Sequence, residues 1–240
     1  MKILVTGKNG FIARNLIEFL EDDGYEVLSV SHEEDEKLNQ CCEICHFVFH
    51  LAAVQRSDDD KNFIEGNILY TQKLINCLEK HQNRSSIIFS TSTAIEFNSI
   101  FSKTKKEAEK LLREHCTKEN ARLYVFKLNH VFGKYGKPNF NSVISTFCFN
   151  LANNIPIIVN DPSHKITVTY INDLYEDFKQ YLNKDIYCDD YILPSVRYEM
   201  TLGELLSILG RIKNNEFDKY DILQNQLHNT YKYYKDEEKI

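Results

Sequence analysis

The hydrophobic positions of this chain alternate between short continuous runs and a helical spacing. Residues 3–5, 27–30 and 47–52 form apolar runs that predict buried strands, whereas the apolar residues of 12–20 recur with the period of a helix. The same patterns predict helices at about 59–80 and 102–117 and strands at 87–89 and 123–128. This alternation of strands and helices, with apolar strands throughout, favours a parallel sheet covered on both faces.

The pattern changes after residue 128, where a loop at 129–141 leads to a predicted helix at 142–153. Beyond it the sequence predicts strands at 157–159, 167–171 and 191–193, a helix at 173–182, another helix capped by Thr201 and Glu204, and a loose end at 231–240. We therefore predict an α/β fold. A Rossmann-type doubly wound parallel sheet occupies residues 1–165, mainly 1–130, and a smaller mixed C-terminal substrate lobe, residues 130–240, is interleaved with it.

Composition narrows the class of protein. With 42% hydrophobic residues, 27% charged residues and a net charge of −6, the 240-residue chain is neither disordered nor fibrous, and no basic run indicates nucleic acid. No apolar stretch approaches the roughly 20 residues that cross a bilayer, so membrane insertion is not expected. Seven Cys without a secretory leader indicate a cytoplasmic protein.

The cysteine cluster Cys41, Cys42 and Cys45 raises the question of a metal site. Cys42 and Cys45 have the two-residue spacing of a zinc ligand pair, but no second pair follows at a fitting distance. The sequence therefore favours buried, unreactive thiols on a helix, and we predict no metal site.

Two of the eight glycines, Gly7 and Gly10, lie in the first strand-to-helix turn. A dinucleotide turn needs Gly where the backbone bends and approaches the pyrophosphate, and a small residue, here Ala13, where the helix meets the strand. The helix N-terminus then presents free N–H groups to the phosphates. The predicted cofactor contacts of this turn are Thr6, Gly7, Asn9, Gly10, Phe11 and Ile12.

The spacing of Thr6, Gly7, Gly10 and Ala13 resembles that of the extended short-chain dehydrogenase/reductases, a family of nucleotide-sugar epimerases, dehydratases and reductases. Stretches that agree with this resemblance run along nearly the whole chain: His50-Leu51-Ala52-Ala53, Asn67, Ser90-Thr91-Ser92, Phe132-Gly133 and Tyr170-Ile171-Asn172-Asp173. The resemblance implies that Leu51, Ala52, Ala53 and Asn67 also lie beside the cofactor.

Within that family, Arg56 with residues 60–63, then 132–148, then 200–204 are similar to the reductase domain of the CapF type. This implies a UDP-linked 2-acetamido-2,6-dideoxy-hexos-4-ulose, a 4-keto-6-deoxy amino sugar of capsule and O-antigen synthesis, as substrate. The CapF type also carries a C-terminal cupin that epimerises C3. The chain is thus expected either to be part of a longer protein or to reduce without C3 epimerisation. The implied substrate contacts are Arg56, Ser92, Thr93, His130, Lys134, Asn139, Asn141 and Ser142.

In dinucleotide-binding folds, residues at the end of the second strand contact the 2′ group of the cofactor's adenosine ribose. NAD-preferring folds place Asp or Glu there to accept from the ribose hydroxyl, but this chain has Ser31 followed by His32. Neither repels a 2′-phosphate, so we predict NADP(H) in preference to NAD(H), with both residues as contacts. Lys8, Arg14 and His32 could attract the phosphate, whereas Glu33 and Glu34 oppose it.

Reduction of a ketone needs a group that polarises the carbonyl and an acid that protonates the forming alkoxide. The family supplies Ser, Tyr and Lys; Ser92 and Lys105 stand at two of these places, and Lys105 would also hold the nicotinamide ribose. Phe101 stands at the Tyr place. Phenylalanine has no proton to give, and loss of a positioned acid costs about 10² to 10⁴ in rate.

Three explanations of Phe101 stay open: a deliberate change, another proton donor (Ser102, Lys103, Thr91 or a water), or a protein that binds without turnover. Accordingly, a 4-ketoreductase is the first functional hypothesis. An NAD-dependent nucleotide-sugar epimerase or dehydratase and a catalytically impaired nucleotide-sugar-binding protein are the alternatives. By analogy with the family, a homodimer through the helices at 59–80 and 102–117 is expected.

Overall fold

The computed structural model describes residues 1–140, 142–182, 186 and 188–237. The chain forms two compact units. The first comprises Met1–Leu128 and Asp177–Leu193, and the second comprises Asn129–Glu176 and Pro194–Ile240.

The first unit contains five strands and five α-helices that begin and end within its longer segment. In chain order they are β1 Lys2–Thr6, α1 Phe11–Asp22, β2 Glu26–Val30, α2 Asp35–Ile44, β3 Phe47–His50, α3 Asp60–Phe63, α4 Tyr70–Lys80, β4 Ser86–Ser92, α5 Ile100–Glu119 and β5 Leu123–Leu128. A π-helical segment, Ile64–Leu69, joins α3 to α4, and a 3₁₀ turn, Thr93–Glu96, follows β4.

The five strands form one parallel sheet in the order β2-β1-β3-β4-β5. The predicted Rossmann-type sheet is therefore confirmed. Apolar side chains on both faces of the strands are buried; Ile3, Leu4 and Val5 of β1, for example, have no exposed surface. The strand order reverses at β1, which lies between β2 and β3. The crevice outside the carboxyl ends of such strands is where open α/β sheets bind ligands.

The second unit contains a smaller mixed sheet and helices. Its elements are β6 His130–Phe132, α6 Val143–Ala152, β7 Lys165–Tyr170, α7 Ile171–Leu182, β8 Tyr198–Thr201, α8 Leu202–Lys213 and α9 Ile222–Glu237, with the end of α7 in the first unit. β7 pairs in parallel with β6 and antiparallel with β8. The capping box of Thr201 and Glu204 at the start of α8 is confirmed.

Several predictions for this half were wrong. Residues 157–159 form no strand, since Ile158 is 84% exposed and has no strand partner, and 191–193 contribute only a bridge between Ile192 and Phe126. The predicted loop at 129–141 contains β6. The described part of the predicted loose end is helical in α9, because Tyr231 and Tyr234 pack into the apolar core of this unit.

No helix within the described ranges combines the length and the apolar character that a bilayer-spanning segment needs.

Candidate functional site

A cleft of about 820 Å³ opens at the carboxyl ends of β1, β2 and β3 in the first unit. Its wall includes Arg56, predicted as a substrate contact, and residues of the 54–73 segment that the sequence did not single out, among them Val54, Gly66, Tyr70 and Lys73. The helix of Gly66, Tyr70 and Lys73 was predicted at 59–80, but a helical period does not show which face borders a cleft. Eight predicted cofactor contacts line it: Gly7, Asn9, Gly10, Ser31, His32, Leu51, Ala52 and Ala53.

The turn between β1 and α1 passes very close to the end of β3. Gly7 has a φ of +75°, and a Cβ on it would lie 2.8 Å from the Ala52 Cα and 2.9 Å from the Ala52 nitrogen. Gly10 precedes α1, which begins without a side-chain cap. The first-turn N–H groups, including those of Phe11 and Ile12, are thus available to an external acceptor. This cradle fits the pyrophosphate of a dinucleotide.

A buried histidine, His50, forms hydrogen bonds with Thr6, next to this turn, and with Thr71 of α4. His50 Nδ1 lies 2.9 Å from Thr6 Oγ1, and His50 Nε2 lies 2.8 Å from Thr71 Oγ1. The Thr71 hydroxyl donates to the Asn67 carbonyl, so it accepts from His50 Nε2–H, and Thr6 Oγ1 accepts from the Ala52 N–H at 3.2 Å. Burial, reinforced by the charge of Lys105, lowers the pKa of His50 to about 3, so the ring is neutral.

Asn67 holds the loop that follows β3. Its Oδ1 accepts from the Val54 N–H at 2.8 Å, and its Nδ2 donates to the Val54 carbonyl at 3.1 Å and to Thr104 Oγ1 at 3.0 Å. Asn67 is 2% exposed and lies in the π-helical segment, a feature often found at functional sites. It therefore orients the cleft wall, while Gly66 packs so tightly on Val54 that a Cβ would collide with the valine side chain.

The end of β2 carries a compact charged cluster. Glu34 Oε2 accepts from the Ser31 N–H at 2.7 Å and from Ser31 Oγ at 3.0 Å, and it lies 2.7 Å from Lys8 Nζ. The hydrogen bond from Lys8, followed by those from Ser31, lowers the pKa of Glu34 to about 2. His32 is exposed and lies 3.7 Å from Glu33. The sequence singled out these residues, but it did not predict the hydrogen bonds between the Glu34 side chain and Ser31.

The predicted catalytic residues lie at β4 and α5. Ser92 Oγ accepts from the Ala94 N–H at 3.1 Å and caps the 3₁₀ turn, which leaves its own proton to donate. Phe101 and Lys105 are four residues apart in α5, on one helix face. Lys105 is 3% exposed, with its Nζ 3.8 Å from the centroid of the Phe89 ring. Burial lowers the pKa of Lys105 to about 7, against the opposing effect of Glu109.

The alternative proton donors differ in availability. The Ser102 hydroxyl donates to the Ala94 carbonyl at 3.0 Å and lies 2.8 Å from Ser99 Oγ, so its proton is already used. Lys103 is exposed on α5. Thr91 is 4% exposed, and its hydroxyl has no hydrogen-bond partner within the part of the chain that the structure describes.

The remaining predicted substrate contacts lie in both units. Thr93 is exposed in the 3₁₀ turn, and His130 is exposed at the start of β6. Lys134 Nζ lies 5.2 Å from the centroid of the Tyr135 ring. The Asn139 N–H donates to Thr146 Oγ1 at 2.9 Å, and the Ser142 hydroxyl caps α6 by accepting from the Ser145 N–H. Asn141 lies outside the described residues.

None of Cys41, Cys42 and Cys45 lines this cleft. Cys41 and Cys42 are buried in α2, and Cys45 follows it. Burial raises the pKa of Cys45 to about 11 and raises that of Cys42 as well, which keeps these thiols protonated. No His, Cys, Asp and Glu side chains of the described ranges form a group of three that could hold a metal ion.

The sheet order, the glycine turn and the cleft above it are those of a Rossmann-type nucleotide-binding protein. Comparison with family models gives the particular family. Residues 3–186 match the NAD dependent epimerase/dehydratase family, and the chain belongs to it. Proteins of this family depend on NAD(P).

A curated relative is the UDP-2-acetamido-2,6-beta-L-arabino-hexul-4-ose reductase of Pseudomonas aeruginosa, 32% identical over 217 residues, which are 90% of this chain and 58% of the relative. Among solved structures, the capsular polysaccharide assembling protein CapF of Staphylococcus aureus matches with a TM-score of 0.86 at 28% identity, over 98% of this chain and 66% of CapF. The chain therefore spans less than two thirds of either relative.

Another solved structure of the same fold matches this chain over nearly the full length of both proteins. The UDP-glucose 4-epimerase of Thermotoga maritima, solved with UDP-glucose, has a TM-score of 0.83 over 99% of both chains. At 18% identity this likeness shows the fold alone.

Proposed function

We propose that this chain is an NAD(P)H-dependent reductase of the C4 keto group of a UDP-linked 2-acetamido-2,6-dideoxy-hexos-4-ulose, in the synthesis of capsule, O-antigen or related amino-sugar glycans. The observation that carries the proposal is the close approach of Gly7 to Ala52, which forms a dinucleotide cradle at the point where the strand order reverses. The named activity of the Pseudomonas relative, which aligns with 90% of this chain, supports the choice of substrate.

The residues of the cleft divide the binding of the dinucleotide among them. Gly7, Gly10 and the first turn of α1 would hold the pyrophosphate. Ser31 and His32 would contact the adenosine ribose, and residues 51–53 would form the cleft wall beside the rest of the cofactor. When bound, the reduced dinucleotide supplies a hydride to the sugar's C4. All other steps belong to the side chains of the protein.

We propose NADPH rather than NADH as the preferred reductant. Ser31 lines the cleft at the end of β2 and brings no charge of its own, while Lys8 brings a cation to the same place. Glu34 opposes this preference, because its carboxylate is paired with Lys8. Comparing the KM values for NADPH and NADH in the same assay tests the preference.

The carbonyl chemistry would fall to Ser92 and Lys105. Ser92 has a hydroxyl proton with which to polarise the ketone oxygen, since its oxygen accepts from the Ala94 N–H. Phe101 supplies no proton. Lys105 would hold the nicotinamide ribose, and burial brings the pKa of its ammonium to about 7.

The wider assignment follows from the same proposal. Arg56 and Thr93 in the first unit, with His130, Lys134, Asn139, Asn141 and Ser142, are proposed as contacts of the UDP-sugar. A homodimer and a cytoplasmic location are proposed on the family resemblance and the composition.

The decisive experiment follows NADPH absorbance with a UDP-4-keto-6-deoxy-HexNAc substrate for the parent chain and for Phe101→Tyr. The variant places a phenol four residues before Lys105, so we expect turnover to rise by about 10² or more. Phe97→Tyr is the matched control, since Phe97 is 72% exposed and this variant adds a phenol at a position other than the predicted catalytic one. No turnover in either the parent or Phe101→Tyr would refute the reductase.

Phe101 also favours a second candidate, a protein that binds the nucleotide sugar without converting it. That candidate predicts saturable binding of UDP-sugar and dinucleotide by calorimetry with negligible turnover in both the parent and Phe101→Tyr. A rapid parent reaction would exclude it and would mean that another group is the acid.

A further inference from the structure

Three hydrogen-bond donors converge on one point at the end of β2. The Ser31 N–H, the Ser31 hydroxyl and the Lys8 ammonium lie 2.7, 3.0 and 2.7 Å from Glu34 Oε2. Lys8 Nζ also lies 2.8 Å from the other carboxylate oxygen. A backbone amide, a hydroxyl and an ammonium aimed at one anionic oxygen form a charge-assisted anion site.

This anion site belongs to the cleft, because Ser31 and His32 line the cleft wall. The anion that it holds comes from the chain itself. Glu34 precedes α2, and its side chain turns back over Ser31 with 32% of its surface exposed. Lys37 Nζ lies 3.9 Å from Glu34 Oε1, so a second cation is at hand for the carboxylate if it leaves Ser31.

We propose that the Ser31 N–H, the Ser31 hydroxyl and Lys8 form the binding site for the 2′-phosphate of NADP(H), and that Glu34 fills this site as an internal anion which the phosphate must displace. The inference rests on the proposed dinucleotide function and assigns the residues that select between the two cofactors. The three donors match phosphate oxygens, whereas the 2′-hydroxyl of NAD(H) carries no charge that competes for them. Glu34 thus weakens NADPH binding selectively.

The charge of Glu34 does not change with pH near neutrality. The hydrogen bonds from Lys8 and Ser31 lower the pKa of Glu34 to about 2, so its carboxylate stays ionised whenever the protein is folded near neutrality. Only substitution of Glu34 removes the competing charge.

The test measures binding of two small probes to the full chain by calorimetry at fixed ionic strength: 2′,5′-ADP, which carries the 2′-phosphate, and ADP, which lacks it. Glu34→Gln keeps the size of the side chain and an oxygen that can accept from Ser31, but it removes the charge. We expect 2′,5′-ADP to bind about tenfold more tightly or better, with ADP changed less than about threefold.

Two further variants sharpen the test. Glu33→Gln removes a neighbouring negative charge whose side chain is 80% exposed and screened by solvent, so it should change each affinity less than about threefold. Lys8→Met removes the cation, so it should weaken 2′,5′-ADP binding about tenfold and leave ADP nearly unchanged. Thermal unfolding of each variant checks that it is folded.

The outcomes separate the inference from the function on which it rests. If ADP binds but Glu34→Gln leaves the ratio of the two affinities unchanged, or if Glu33→Gln raises it equally, Glu34 does not fill a phosphate site and the inference is wrong. If neither probe binds the parent or any variant, the dinucleotide assignment itself fails.

Discussion

His50 Nε2 donates a hydrogen bond to Thr71 Oγ1 at 2.8 Å, and this bond ties the end of β3 to α4. The opposite nitrogen of the ring accepts from Thr6 at the end of β1. The fully buried, neutral ring of His50 therefore connects β1 and β3 to α4, whose residues Tyr70 and Lys73 line the cleft. A protonated ring would donate from both nitrogens and could no longer accept from Thr6.

The first prediction concerns acid stability. The folded-state pKa of His50 is about 3 against an ordinary 6.5, so between these values the unfolded chain binds a proton that the folded chain does not. Hence the free energy of unfolding contributed by this group falls as pH falls through that window, by up to about 1.4 kcal/mol per pH unit. Urea unfolding of the parent and His50→Gln at pH 4.5 to 7 measures the difference.

His50→Gln is expected to be less stable at pH 7 by about 1 to 3 kcal/mol, because two buried hydrogen bonds are perturbed. Its stability should nevertheless fall less steeply on acidification than that of the parent. Parallel curves for the two proteins would show that His50 takes up its proton in the folded state.

Lys105 gives a prediction on the alkaline side. Its folded-state pKa is about 7 and its ordinary value is 10.5, so between them the unfolded chain holds a proton that the folded chain has lost. Stability relative to Lys105→Met therefore rises with pH, by up to about 1.4 kcal/mol per unit. We expect Lys105→Met to be more stable than the parent at pH 7, because it removes a buried charge, and to lose reduction.

Urea unfolding at pH 7, 8 and 9 measures this difference. Lys103→Met is the control, since Lys103 is exposed two residues away on the same helix. If the free energy of unfolding of both variants changes with pH as that of the parent does, the pKa of Lys105 is the same in the folded and unfolded chains.

The sequence alone predicted the elements whose pattern is local. The apolar runs of β1 to β5, the glycine turn and the capping box of Thr201 are each determined by a few neighbouring residues, and the structure contains all of them. β8 could not be predicted, because Tyr198–Thr201 becomes a strand only through pairing with β7. Residues 231–237 similarly owe their order to the burial of Tyr231 and Tyr234 in a distant core.

The same distinction applies to the candidate site. Gly7, Ser31 and 51–53 follow directly from the carboxyl ends of strands, so a motif identifies them. The cleft wall formed by Gly66 and Tyr70 depends on how the helical segment packs, and the π-helical insertion shifts its face in a way that periodicity does not reveal. The return of Glu34 onto Ser31 is a side-chain conformation that no sequence pattern encodes.

Asn67 provides a prediction on that wall. Asn67→Ala leaves the Val54 N–H and carbonyl without the partners they have here, so we expect a loss of about 1 to 3 kcal/mol in the free energy of unfolding. Dinucleotide affinity should fall as well, because Val54 lines the cleft. Asn76→Ala, on the exposed side of α4, should change neither quantity. Unaltered affinity in Asn67→Ala would mean that the loop after β3 is held by other contacts.

The glycine turn allows backbone strain to be separated from close approach. Gly7 and Gly24 both have left-handed φ angles, +75° and +81°, but a Cβ on Gly24 meets nothing within 4 Å, whereas one on Gly7 lies 2.8 Å from the Ala52 Cα. Gly24→Ala should therefore cost only the conformational strain, about 1 to 2 kcal/mol in unfolding free energy, and should bind NADPH normally. Gly7→Ala must also push Ala52, in the segment after β3, away from the turn. We expect it to lower affinity for NADPH and NADH alike by more than about tenfold, measured by isothermal titration calorimetry. Equal binding by the two variants would mean that the contact between Gly7 and Ala52 does not form the cradle.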